Sequence, residues 1–404
     1  MIIQGQTDYK YHIKKALSKM QSVNKWQSDF ILEIYLLFLS IKGRLNFLQL
    51  GRFAKHSEQR FRNQFEHSFD HLSFNKELIL ENGSGHFTIA FDPSYIGKSG
   101  KSTPGVGWYW SGVAGKSKWG LEISGIAAID IDNHTGFHLE AIQTPNNLVK
   151  GSLLEHYSNI IIERKEKLVQ ISKYVVVDAY FSKEPFVSAM NNNGFDVVSR
   201  LRTDAHLQYL FTGKQLKGRG RPRKFAGKID YNNLDMNYFN LIRESQANKI
   251  VQARVHSKSL KKLINLVIVF TKSKGKWTYK LYFATDLSLG VELLLDYYKS
   301  RFQKEFIYRD AKQFSGLHDC QARSKNKLDF HFNIALSTIN IAKITHWLSI
   351  PKTHRPAFSM SDVKTMYHNE LLLNRFIYVF AIPAYKLKNN NRIRELITYG
   401  TIAA

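Results

Sequence analysis

Three acids stand where they can share one task. Asp92 closes the strand-like run Phe87 to Phe91, Asp178 closes the β-branched run Tyr174 to Val177, and Glu305 lies in the helix-like stretch Tyr298 to Lys312. Carboxylates of this kind suit a hard divalent cation, because Mg²⁺ takes oxygen ligands and two or three acids with waters suffice. No histidine is needed. Two such ions activate the attacking hydroxyl of a phosphodiester reaction and stabilise the leaving oxygen. Around Glu305 the charges are cationic. Tyr298, Arg301, Glu305 and Lys312 stand at offsets of three, seven and fourteen, which at about 100° per residue places them within roughly 60° of one another on a helix face about 21 Å long. Ile307, Ala311 and Phe314 fall on the other side, free to face a core. Such a stripe suits a phosphate backbone with a metal at its middle. A single Asp is more often a solvated surface group; the three acids gain weight only if the fold gathers them.

The elements around them predict such a gathering. Residues 1–83 read as helical: Gln27 to Lys42 has helical apolar spacing and ends at Gly43, and Phe47 to Phe69 places Leu48, Phe53, Phe61 and Phe65 around a break near His56 and Ser57. Ser57 is an N-cap candidate, followed by Arg60, Arg62 and Asn63. This is either a helix-turn-helix that meets DNA or a small bundle with a solvated basic face. From Gly85 the period becomes two. Phe87 to Phe91 reads as a strand stopped by Pro93, followed by strands over Leu121 to Asp130 and Gly136 to Thr144. An amphipathic helix over Leu148 to Gln170 precedes the short strand that ends in Asp178. Three strands, a helix and a strand resemble the opening order of a ribonuclease H-like fold, which places Asp92 and Asp178 on adjacent central strands.

A further strand covers Phe195 to Leu201. Strand and turn then dominate to about Asp286, over Leu207 to Phe211, Tyr238 to Ile242, Lys249 to His256, Leu263 to Thr271 and Trp277 to Thr285. The expected fold is α/β: a ribonuclease H-like catalytic core with a mixed sheet over 84–205 and 287–350, interrupted by a β-rich insertion over 206–286. A helical DNA-binding domain over 1–83 precedes it, and a C-terminal segment over 351–404 follows. Leu328 to Leu348 reads as a buried helix, apolar on most sides.

Charge narrows the partner. The chain has 58 Lys and Arg against 33 Asp and Glu, a formal charge of +25, which favours a polyanion, nucleic acid foremost. Cys320 is the only cysteine, so no intrachain disulfide forms and a reducing compartment fits. The apolar run Phe30 to Ile41 is too short to span a bilayer. A cytoplasmic protein with no membrane partner is expected.

The spacing Tyr298-x2-Arg301-x3-Glu305-x6-Lys312 resembles the Tyr-Arg-Glu-Lys signature of the bacterial cut-and-paste transposases of insertion-sequence family four. Ala90-Phe91-Asp92-Pro93-Ser94 and Val176-Val177-Asp178-Ala179-Tyr180-Phe181 resemble that family's two aspartate motifs, and a β-rich insertion before the glutamate is its arrangement too. The resemblance covers about residues 85–345. It implies that Asp92, Asp178 and Glu305 bind two Mg²⁺ ions, with Mn²⁺ as a substitute. It also implies that Tyr298, Arg301 and Lys312 hold the transposon-end backbone beside the scissile phosphate. Water would free a 3′ hydroxyl that attacks the opposite strand, often through a DNA hairpin, and then the target. The partners implied are double-stranded DNA, as transposon ends and target, and a second copy in a homodimeric paired-end complex. Ala179 departs from relatives that carry a longer polar segment there.

Other residues read two ways. Arg219 and Arg221, in Gly218 to Lys224, form an Arg-Gly-Arg-Pro core that fits a narrow A·T minor groove or is a loop that touches phosphate or nothing. Trp277 is a base-stacking candidate or a buried strand residue. Trp108, Tyr109 and Trp110 line a cleft or, by default, pack in the core. Arg200 and Arg202 reach DNA or alternate on an edge strand. Two functions compete with an active transposase: a non-catalytic DNA-binding regulator and a ribonuclease H-like nuclease without ties to mobile DNA. The retained triad argues against the first, and the helix stripe and insertion against the second.

Overall fold

A computed structural model describes residues 4–215, 221–383 and 390–402. The chain opens with five helices, α1 (Gln4–Ser18), α2 (Lys25–Ser40), α3 (Phe47–Phe53), α4 (Glu58–Gln64) and α5 (His71–Asn82). Strands β1 (Phe87–Gly97), β2 (Gly107–Ser111), β3 (Lys116–Asp130) and β4 (Thr135–Gln143) follow, then α6 (Leu153–Ile162), α7 (Lys165–Leu168), β5 (Tyr174–Val176), α8 (Glu184–Asn192) and β6 (Asp196–Leu201). The β-rich segment holds β7 (Leu207–Leu210), β8 (Phe225–Lys228), β9 (Asn240–Glu244), β10 (Asn248–Ser257), β11 (Lys262–Ser273) and β12 (Lys276–Ala284). Helices α9 (Val291–Ser300), α10 (Gln303–Phe314), α11 (Lys325–Lys343), α12 (Met360–Val379) and α13 (Asn391–Thr398) complete a mixed α/β architecture. Two compact units divide it: Met1–His86, Pro93–Asn147 and Gln303–Ala404 form the first, and Phe87–Asp92 with Leu148–Phe302 the second.

In the first unit α11 is the centre, buried from Leu328 to Lys343 with few breaks. One stripe of it is polar and addresses β4. Asn333 Oδ1 accepts from the Ala141 N–H at 2.8 Å, and its Nδ2 donates to the Ala141 carbonyl at 3.0 Å. Asn340 repeats the pattern on His138, at 2.8 and 2.7 Å, and Lys343 Nζ donates to the Gly136 carbonyl at 2.7 Å. These side chains saturate backbone groups of β4, whose one strand partner is β3, so the sheet edge is covered rather than left to pair with another chain. On the same sheet α10 approaches closely because two strand positions lack side chains. A Cβ on Gly125 of β3 would stand 2.2 Å from the Tyr308 hydroxyl, and one on Gly136 of β4 would meet Ile307 Cδ1 at 3.1 Å.

The buried histidines of this unit make it acid-sensitive. Burial pushes His71 and His138 down to about 3 and His331 down to about 4. Their unfolded value is near 6.5, so the unfolded chain binds the extra protons. The stability they contribute is complete above pH 6.5 and is lost as pH falls toward the folded values. Asp329, pushed up to about 6 by burial, acts in the opposite direction and offsets about one histidine. Urea unfolding at pH 5 should therefore show the unit less stable than at pH 7 by roughly 2–4 kcal/mol. Equal midpoints would mean that the histidines are charged in the fold.

In the second unit β1, β5 and β6 run parallel, with Ala90 opposite Val176 and Val176 opposite Val198. β12 pairs antiparallel with β6, Leu281 opposite Leu201, and β11, β10 and β7 continue the ladder to β8. The segment between β6 and α9 thus extends the sheet of the parallel strands.

Several expectations change. The strand stopped by Pro93 runs on to Gly97. The β5 ladder ends at Ala90, so no bond on that side requires the N–H that proline lacks. Strands β2 and β8 were not foreseen. The helix expected over Leu148 to Gln170 is divided into α6 and α7. In the Phe47 to Phe69 stretch, Phe61 and Phe65 are buried while Leu48 and Phe53 are exposed. Ser57 stands at the N-cap of α4 without a side-chain capping bond.

Candidate active site

The stripe from Tyr298 to Lys312 is not one helix. Helix α9 ends at Ser300, Arg301 caps it, Phe302 N–H turns back to the Lys299 carbonyl at 3.2 Å, and α10 starts at Gln303. The cause is the burial pattern. Continued at about 100° per residue, the buried positions of α9 (Val291, Leu294, Leu295) and those of α10 (Ile307, Tyr308, Ala311) would lie about 140° apart. A break lets each helix bury its own face. The four signature residues therefore divide: Tyr298 and Arg301 belong to the second unit, Glu305 and Lys312 to the first. Glu305 and Lys312, seven residues apart, still share a face of α10.

Asp92 and Asp178 lie on, or just beyond, neighbouring parallel strands. Each stands two residues beyond the pair Ala90–Val176 on neighbouring parallel strands, hence at the same level of the sheet. Beneath them lies an aromatic block, Phe91 against Phe181 (5.5 Å between centroids) and Tyr157, and Phe181 against Phe186. This block packs the middle of β1 against the turn that follows β5. The carboxylate of Asp178 caps a short 3-10 turn, its Oδ1 accepting from the Tyr180 N–H at 2.9 Å. Ser199 Oγ donates to the Asp178 carbonyl at 3.0 Å, and Ser182 Oγ donates to Ser199. Both acids are half-buried, so they are held by structure and open to solvent.

Glu305 is exposed in the first turn of α10. Lys312 Nζ reaches Ser94 Oγ at 3.2 Å and the Tyr95 carbonyl at 3.5 Å, on the strand that continues from Asp92. Tyr298 packs edge-to-face on Tyr282, ring centroids 5.0 Å apart, which joins α9 to β12. Arg202 forms a two-point ion pair with Asp204, at 3.0 and 3.1 Å. With Ala179, Arg200, Tyr279 and Lys280 it lines a cavity of about 500 Å³ that begins one residue after Asp178. Sequence reasoning named Arg200 and Arg202 here and missed Lys280, whose signal was its place two residues after Thr278 on the strand paired to β6. Arg221 is exposed; Arg219 lies outside the described residues.

Trp277 is exposed on β12 opposite Lys272, with the Lys272 Nζ 5.9 Å from its ring, so the buried reading is corrected. Trp108 and Trp110 are also exposed, which corrects the default of core packing, while Tyr109 is partly covered. Among the described residues no group of three or more His, Cys, Asp or Glu is gathered to hold a metal, and no helix is long and apolar enough to cross a membrane. Asp92 and Asp178 supply a pair of oxygen donors of the type a hard cation takes.

Compared with known proteins, the chain matches no curated protein. The family described as transposase DDE domain matches over residues 129–341, more than half of the chain, a span that includes Asp178 and Glu305 and begins after Asp92. With two aspartates at one level of neighbouring parallel strands and a match of this length, the chain belongs to the transposase DDE domain family.

Proposed function

We propose that this chain is a cut-and-paste transposase of the insertion-sequence family four type, acting in the cytoplasm on double-stranded DNA. In this reading a ribonuclease H-like core carries Asp92, Asp178 and Glu305 as the metal-binding carboxylates. Tyr298, Arg301 and Lys312 hold the transposon-end backbone, with Arg202, Arg219 and Arg221 as further DNA contacts and Trp277 as a base-stacking residue. Residues 1–83 contribute to recognition of the terminal inverted repeats, and two copies pair the two ends. The observation that carries the reading is the level placement of Asp92 and Asp178 on parallel neighbours in a chain of this family.

The all-oxygen donor set fits Mg²⁺, or Mn²⁺ in its place. When bound, the ions would lower the pKa of an attacking hydroxyl and stabilise the leaving oxygen. The chain's own residues do the positioning. The Tyr180 N–H orients the Asp178 carboxylate, the Ser199 hydroxyl fixes its backbone, and exposed Trp277 offers a ring face to a displaced base. Metal-dependent nicking of DNA by the wild type and its loss in carboxylate variants test the chemistry.

The backbone role of Lys312 has a separate test. Lys312→Ala should weaken duplex binding and lower the slope of log affinity against log salt by about one unit. A slope equal to that of the wild type would restrict Lys312 to its contacts with Ser94 and Tyr95.

A further inference from the structure

The connection from β1 to β3 carries a feature that the proposed chemistry does not use. From Pro93 to Leu121 the sequence has no acid, holds Lys98, Lys101, Lys116 and Lys118, and contains Trp108, Trp110 and Trp119, half of the chain's six tryptophans. The β2–β3 hairpin arranges them. Trp108 pairs with Trp119 and Trp110 with Ser117, while Tyr109 pairs with Lys118 and Ser111 with Lys116. Opposed residues share a face. The three tryptophans therefore occupy one face and Tyr109, Lys116 and Lys118 the other.

The tryptophan face is open to solvent: Trp108 is 71% and Trp110 61% exposed, and Val113 at the tip is fully exposed. A tryptophan ring is a large apolar surface, normally buried or engaged with a partner. The hairpin itself is held in place. Trp119 meets Trp108 edge-to-face at 5.9 Å. At the root of the hairpin the Tyr109 hydroxyl bonds the carbonyls of Gly105 and Thr144 at 2.8 and 3.0 Å, and Asn146 Nδ2 donates to the Val106 carbonyl at 2.9 Å. The backbone that presents the rings is thus fixed before anything covers them, which lowers the cost of binding.

We propose that the β2–β3 hairpin is a stacking platform for unpaired bases of single-stranded DNA, with Trp108 and Trp110 taking base faces and the lysines of the hairpin, on its other face, adding only their positive field. Charge complementarity selects the occupant. An acid-free hairpin on a chain of +25 attracts a polyanion and repels a second copy of itself. Open aromatic rings in a cationic hairpin select a single strand, because every base has a face to stack whereas a duplex hides those faces. The proposal shares with the function proposed above the premise that DNA is the partner.

The test compares the full chain with the double variant Trp108→Ala/Trp110→Ala, binding a labelled oligothymidine strand and a duplex of the same length. Both rings are exposed, so the variant should keep the wild-type thermal midpoint. The expected result is single-strand affinity lower by about tenfold or more, duplex affinity within about twofold, and substantial recovery in Trp108→Phe/Trp110→Phe. Unchanged single-strand affinity overturns the proposal. An equal loss on strand and duplex overturns it in favour of simple backbone contact. Loss of self-association in sedimentation, with DNA affinity intact, overturns it in favour of a contact between copies. Wild type that binds neither form of DNA overturns the proposed function as well. Wild type that binds and nicks duplex, but whose single-strand binding ignores the two rings, overturns the hairpin assignment alone.

Discussion

Glu305→Gln and Asp178→Asn should each reduce Mg²⁺-dependent nicking of supercoiled DNA by at least about a hundredfold while leaving duplex affinity within about threefold. The magnitude is a lower bound, since removing even a partner that supports a metal ligand costs 10–100-fold, and these changes remove the charged ligand itself. The two substitutions are chosen to spare the fold. Glu305 is exposed on α10, and glutamine keeps its size and shape. Asp178 accepts from the Tyr180 N–H through one oxygen, and asparagine retains an acceptor there. Loss of activity with retained binding would thus report lost metal affinity rather than unfolding. Either variant nicking at the wild-type rate would remove that acid from the metal set. Nicking by the wild type that persists undiminished in a chelator would remove the metal from the reaction.

Asn333→Ala should be among the most destabilising single changes in the first unit, lowering unfolding free energy by about 3–5 kcal/mol. Asn333 is buried and its amide answers the N–H and the carbonyl of Ala141 together, while His138 Nε2 lies 3.0 Å from the same Oδ1. Alanine removes the partners of three buried polar groups at once and leaves a small cavity. An unmade buried hydrogen bond costs about 1–3 kcal/mol for the group left behind, well above the net value of the bond. Urea unfolding followed by circular dichroism measures it. A loss below about 1 kcal/mol would show that water replaces the amide without penalty.

Much of this protein follows from local patterns. Strand-type residues between turns marked β3 and β4, which are mostly buried from Gly120 and from Thr135 onward, and the β-branched run before Asp178 marked β5, a parallel strand with Val175 and Val176 buried. The long segment between β6 and α9 was legible as strand and turn for the same reason. Asp178 does follow its strand run, whereas Asp92, expected at a strand end, lies inside β1, which runs on to Gly97.

What the sequence left open depended on partners distant in the chain. A proline ends a strand only if its missing N–H is needed, and on the β5 side of Pro93 none is needed because that ladder has already ended at Ala90. The break between α9 and α10 carries no proline or glycine; it follows from two buried faces that one straight helix cannot serve. Exposure at Trp108, Trp110 and Trp277 is likewise a tertiary property, because composition assigns aromatic rings to cores unless no neighbour arrives to cover them. Residue types and spacing thus determined most of the strands and helices and which acids and cations to examine. Tertiary structure alone decided which backbone groups were left without ladder partners, which helix faces competed for burial, and which large rings remained in water.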